Sequence, residues 1–155
     1  MQYSEKELRE DWEKLVRYFE VRAPILTVSS RRKVSCYRPL FQEIIIALKG
    51  RGMEHMKYAL THEFAHHLDY IRCPVREGRK NHDRAYMKVL IEVIDVLYDD
   101  RADYPWSWEY ASIRHCYPHY VIAYKQKTQP SAAGALQIFL AAQHVHQVAG
   151  QAEAP

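Results

Sequence analysis

His62-Glu63-Phe64-Ala65-His66 spells H-E-x-x-H. Two histidines four apart share one face of an α-helix, one turn from each other. Both imidazoles can then reach a single metal ion. Glu63, beside the first of them, can face a metal-bound water and act as general base. The flanking residues read as helix. Met53 to Ile71 contains no proline, and Met53, Met56, Leu60, Phe64, Leu68 and Ile71 recur at steps of three or four. Gly50 and Gly52 break the chain before this segment, and Pro74 lies beyond it. His62 and His66 fall on the flank of the apolar stripe, near Ala59 and Asp69.

A catalytic zinc site usually has three protein ligands and one open position. The compact continuation H-E-x-x-H-x-x-G-x-x-H fails here, because its glycine and last histidine positions hold Asp69 and Arg72. The best third ligand is His82, sixteen residues after His66. Asn81 reads as the N-cap of a helix over His82 to Tyr98, which puts His82 in its first turn. Glu77, Asp83 and Glu92 are the other candidates, since a carboxylate also suits zinc. Glu92 and Asp95 interrupt an otherwise apolar helix, so either can support a ligand histidine or mark a solvent face.

Thr61 to Tyr70 followed by His82-Asp83-Arg84-Ala85-Tyr86 resembles the SprT-like (spartan-like) zinc metalloproteases. Their signature is H-E-x-x-H, a short gap, and His-Gly-x-x-aromatic. His62, Glu63, His66 and His82 match its ligands and base, and Tyr86 matches its aromatic. Asp83 stands where glycine is usual. The resemblance spans about Leu8 to Tyr98. It implies a Zn²⁺ cofactor and an endopeptidase in which Glu63 assists attack by a zinc-bound water. Proteins bound or crosslinked to DNA would be the substrates, with single-stranded DNA a candidate partner. The four-cysteine zinc ribbon that often follows in the family has no counterpart. Cys36, Cys73 and Cys116 are scattered, and no C-x-x-C pair exists. Tyr86, His67 and Tyr37 are candidates for an oxyanion partner, with Tyr86, Asp83 and Glu92 as candidate support residues. Two other readings stand beside this one. The first is a regulatory protease resembling the ImmA/IrrE type, which cuts a repressor partner and takes an acidic third ligand. The second is a non-catalytic zinc- or DNA-binding module.

The length of 155 residues suits one domain with tails, and 48% hydrophobic residues suit a globular chain. A net charge of +3 permits contact with nucleic acid without demanding it. The polar, charged start is not a secretory signal, and no apolar run is long enough to span a bilayer. Scattered cysteines point to reduced thiols and a cytoplasmic setting.

The expected fold is α+β and zincin-like: an N-terminal helix, a small three-stranded sheet, the H-E-x-x-H helix and a following buried helix. Ser4-x-x-Glu7 is a capping box for the first helix. Its stripe is Leu8, Trp12, Leu15, Val16 and Phe19, and Pro24 is the expected stop. Strands are expected over Ile25 to Val28, Lys33 to Tyr37 and Gln42 to Leu48. An edge strand of this sheet would offer a place for an extended substrate. The helix after His82 reads as the most buried one. The metalloprotease domain is expected over residues 1–100. An aromatic and basic extension over 101–128 is expected to pack on this domain and cover its core, with stacking on single-stranded nucleic acid as its alternative. An Ala/Gln-rich tail with a weak amphipathic helix fills 129–155. Arg31-Arg32-Lys33, with Arg38 near, is the densest basic cluster and a candidate nucleic-acid contact.

Overall fold

The computed structural model describes residues 3–75, 77 and 81–113. The chain divides after Asp100 into two compact units. The first is α+β and contains three helices around a small mixed sheet. In order they are α1 (Glu5–Phe19), β1 (Ile25–Ser29), β2 (Cys36–Arg38), β3 (Glu43–Ala47), α2 (Glu54–Arg72) and α3 (Arg84–Leu97). The second unit holds α4 (Trp106–Ile113).

The capping box forms as its residues dictate. Ser4 Oγ accepts the Glu7 N–H, and the Glu7 carboxylate accepts the Ser4 N–H at 2.7 Å. Leu8 and Leu15 are fully buried, and Phe19 meets Phe64 of α2 at 6.1 Å between ring centroids. Pro24 does not stop this helix. Glu20 turns the chain in the left-handed region, at φ 51°. Its N–H bonds Arg17 O at 3.4 Å and the Val21 N–H bonds Val16 O at 3.4 Å. This double closure caps the helix by backbone bonds alone.

Strand β3 is the centre of the sheet, in the order β1-β3-β2. It runs parallel to β1, from Ile25 opposite Glu43 to Ser29 opposite Ala47. It runs antiparallel to β2, with Tyr37 opposite Ile44. Ile44, Ile45, Ile46 and Ala47 are all buried, which explains the unbroken apolar run of a strand covered on both faces. The strand β2 starts three residues later than the sequence suggests. The Arg32 and Lys33 carbonyls are taken by Lys49 N and Arg51 Nε, and Ser35 Oγ accepts the Ala47 N–H at 2.9 Å. These contacts hold residues 32–35 as a loop.

Helix α2 is the most enclosed element. Every residue from Tyr58 to Asp69 is buried except His66, which is half-buried. The sequence gives that place to α3, which instead exposes Ala85, Lys88, Glu92 and Asp95 as one stripe. Asp83, not Asn81, caps α3, with Oδ1 accepting the Tyr86 N–H at 3.0 Å. Asp83 is extended, at φ −82°, so no glycine is needed there.

In the second unit the Tyr104 hydroxyl donates to Glu109 at 2.5 Å and Trp106 Nε1 donates to Arg101 O at 2.7 Å. The Tyr104 and Trp106 rings meet edge-on at 4.9 Å. These contacts lie within the second unit. The side chain of Tyr110, the residues from Arg114 through Tyr117, Tyr120 and Tyr124, and the whole Ala/Gln-rich tail lie outside the described residues.

A non-glycine residue in the left-handed region costs about 1–2 kcal/mol. Glu20→Gly should therefore raise unfolding free energy by about 1 kcal/mol, read from urea denaturation; an unchanged or lowered midpoint would contradict the cap.

Candidate metal centre

Helix α2 places His62 and His66 one turn apart, and the turn before α3 brings His82 against them. His82 Nε2 lies 3.1 Å from His66 Nε2 and 3.2 Å from His62 Nε2. Among the described residues, these three form the one group of His, Cys, Asp or Glu whose donor atoms converge within 4.8 Å. Three nitrogens held tetrahedrally at the usual zinc distance lie about 3.3 Å apart. The observed separations match that spacing.

Hydrogen bonding sets which nitrogen of His62 carries the proton. Its Nδ1 is 3.0 Å from the Tyr86 hydroxyl, and that hydroxyl donates to His62 O at 3.3 Å. A hydroxyl that donates to the carbonyl must accept from Nδ1–H, which leaves Nε2 as a lone pair turned to the cluster. Tyr86 also stacks on His66, at 4.3 Å and 28°, and meets His82 edge-on at 5.0 Å. One buried ring thus touches all three imidazoles. The Asp83 cap fixes the backbone from which that ring projects. The donor set fits a divalent ion that accepts imidazole; zinc, copper, iron and nickel all do.

Glu63 sits on α2 next to His62 and is 7% exposed. Strand β2 meets the same helix through Tyr37, which bonds His67. Burial raises the Cys36 thiol pKa, and the negative charge of Glu63 raises it further. The sequence alone gave no reason to place Cys36 there. It also missed Tyr58 and His55, which continue up α2 from His62. The Tyr58 ring lies 5.9 Å from that of His62 and 5.1 Å from that of His55. Their spacing of four and three residues was the available signal.

Several candidates have other partners. The Tyr37 hydroxyl donates to His67 Nδ1 at 3.1 Å, and His67 Nε2 donates to Arg22 O at 3.1 Å. Both ring nitrogens of His67 are used, and burial lowers its pKa. His67 and Tyr37 therefore tie α2 to β2 and to the segment before β1 and do not serve as oxyanion partners. Glu92 does not support a ligand either. It pairs with Arg72 at 2.9 Å on an exposed face. Asp83 acts through the α3 cap, and exposed Glu77 stands outside the converging group. Arg31, Arg32 and Lys33 are exposed on the loop between β1 and β2.

Comparison with family models, curated proteins and solved structures yields no match. Among the described residues, no helix is long and apolar enough to cross a membrane.

Tyr86→Phe keeps the ring and removes the hydroxyl. It should lower zinc affinity by about tenfold, measured by competition with a chromogenic chelator; unchanged affinity would remove Tyr86 from the site's support. His55 gives a pH test. Burial, then the Arg51 guanidinium 2.8 Å away, then His62, lower its pKa from 6.5 to about 4. Folding favours its neutral form, so this stability is present above the unfolded pKa and is lost as pH falls towards 4. His55→Gln should therefore lose less stability than wild type between pH 6.5 and 4, read as urea midpoints.

Proposed function

We propose that this chain is a zinc-dependent metallopeptidase, similar to the SprT-like enzymes. The observation that carries the reading is the convergence of three imidazole Nε2 atoms at 3.1 and 3.2 Å beside a buried glutamate on the same helix. His62, His66 and His82 would hold the ion. Zinc, when bound, supplies Lewis acidity towards water and the scissile carbonyl.

The chain's own residues supply the rest. Glu63 takes a proton from the attacking water and delivers it to the leaving amine. Tyr86 holds His62 in the tautomer that leaves Nε2 available. Strand β2, an edge of the sheet joined to α2 through Tyr37, offers main-chain groups to an extended peptide. The ligands must be neutral imidazoles, so acid releases the metal. The convergence of His82 supports a histidine third ligand over the acidic one of the ImmA/IrrE-type reading. DNA-associated proteins are the substrate class that the family resemblance implies, and we carry it as part of this proposal.

Glu63→Gln should retain one equivalent of zinc and lose at least about 10²-fold in hydrolysis of a labelled unfolded protein. Equal cleavage by wild type and variant would sink the peptidase reading. Single-stranded DNA should raise the wild-type rate on a DNA-binding protein if the substrate class is right.

A further inference from the structure

Five cations meet at one end of the sheet, and none belongs to the metal centre. Arg31, Arg32 and Lys33 lie between β1 and β2, and Lys49 and Arg51 lie between β3 and α2; all five are exposed. Backbone bonds stitch the two loops together. Leu48 N–H donates to Ser29 O at 3.0 Å, and Lys49 N–H to Arg32 O at 3.1 Å. Arg51 Nε donates to Lys33 O at 3.1 Å. The cations are therefore held as a group on a fixed frame.

Residues 29–36 and 47–53 contain no Asp or Glu, and Glu54 follows at the start of α2. Among the described residues, none of the five pairs with a carboxylate, whereas Arg38, Lys57 and Arg72 pair with Glu43, Asp11 and Glu92. Clustered like charge raises the local anion concentration and favours an anionic partner.

The cluster runs into β2. Arg32 Nη1 lies 3.9 Å from Cys36 Sγ, on the first residue of that strand. Tyr37, the next residue of β2, bonds His67 on α2 at 3.1 Å, so this strand is joined to the helix that carries Glu63.

We propose that Arg31, Arg32, Lys33, Lys49 and Arg51 form a subsite for an acidic stretch of the polypeptide substrate, seated on the β2 edge. This inference rests on the peptidase reading of His62, Glu63, His66 and His82. The geometry favours a peptide over nucleic acid. A strand edge is recognised by main-chain N–H and C=O groups, which a sugar–phosphate backbone does not present. In an added strand, every second side chain falls on the same face, about 6.8 Å apart. Acidic residues of such a strand that extend past Cys36, the first residue of β2, would meet the loops that carry the cations.

The test uses zinc-loaded Glu63→Gln protein and fluorescence anisotropy. Three labelled ligands of equal length are compared: a Glu-rich peptide, the same peptide with Gln for Glu, and a single-stranded oligonucleotide. The Glu-rich peptide should bind about tenfold tighter than the Gln version. That margin should shrink with added salt. It should vanish when Arg32→Ser, Lys33→Ser and Arg51→Ser are combined, and survive when the remote Arg9→Ser and Arg17→Ser are combined. Should the triple variant lose its fold, Arg31→Ser with Lys49→Ser gives the same comparison on residues whose side chains make no described hydrogen bond. Equal binding of the two peptides overturns the proposal. An oligonucleotide that outcompetes the Glu-rich peptide through the same residues also overturns it, in favour of a nucleic-acid surface. Wild-type cleavage of both peptides separates the two claims. Glu63-dependent cleavage without acidic preference overturns the subsite alone. Acidic preference in binding without any Glu63-dependent cleavage overturns the peptidase reading and leaves an acidic-polypeptide surface.

Discussion

Three imidazole nitrogens face one another at the spacing that three ligands of one divalent ion adopt: His82 Nε2 lies 3.1 Å from His66 Nε2 and 3.2 Å from His62 Nε2. The Tyr86 hydroxyl lies 3.0 Å from the other nitrogen of His62. The rest of the first unit is arranged around holding these rings together. Helix α2 is enclosed by β3 and the neighbouring helices. The Asp83 cap sets the first turn of α3, and Tyr86 packs against each ring in the group.

The adjacent pair His66-His67 shows how one helix divides its work. A step of about 100° sends the two side chains to different neighbours. His66 joins His62 and His82 in the candidate metal site. His67 points away and joins Tyr37 of β2 to the Arg22 carbonyl. That second set of bonds fixes β2 against α2. It thereby fixes an edge strand, Cys36 and the cationic loops relative to Glu63. The acidic-substrate subsite depends on this bracing as much as on its charges.

Features set by local chemistry were legible in the sequence. Ser4 and Glu7 form their box because both partners lie within one turn. The H-E-x-x-H spacing puts His62 and His66 on one face whatever surrounds the helix. The apolar run at Ile44 to Ile46 reads as a covered strand. Features set by distant contacts were not legible. Glu20 ends α1 in a conformation that its residue type disfavours, whereas Pro24 is the stronger breaker by residue type. The loop at residues 32–35 looks strand-like until Lys49, Arg51 and Ala47 claim its acceptors. Glu92 looked able to reach a histidine, but Arg72 from another helix takes it. His82 was legible as the histidine nearest the start of the next helix, whereas the seating of Tyr37 on His67 depends on sheet order, which sequence pattern does not reveal.

X-ray absorption at the zinc K-edge of the purified, zinc-loaded protein, repeated on His82→Ala, addresses the central claim most directly. The account predicts one zinc per chain with three imidazole nitrogens at about 2.0 Å and lighter-atom coordination in the remaining position. One imidazole should be lost in the variant. Sulfur in the first shell, an unchanged spectrum in His82→Ala, or failure to hold zinc at all would contradict it.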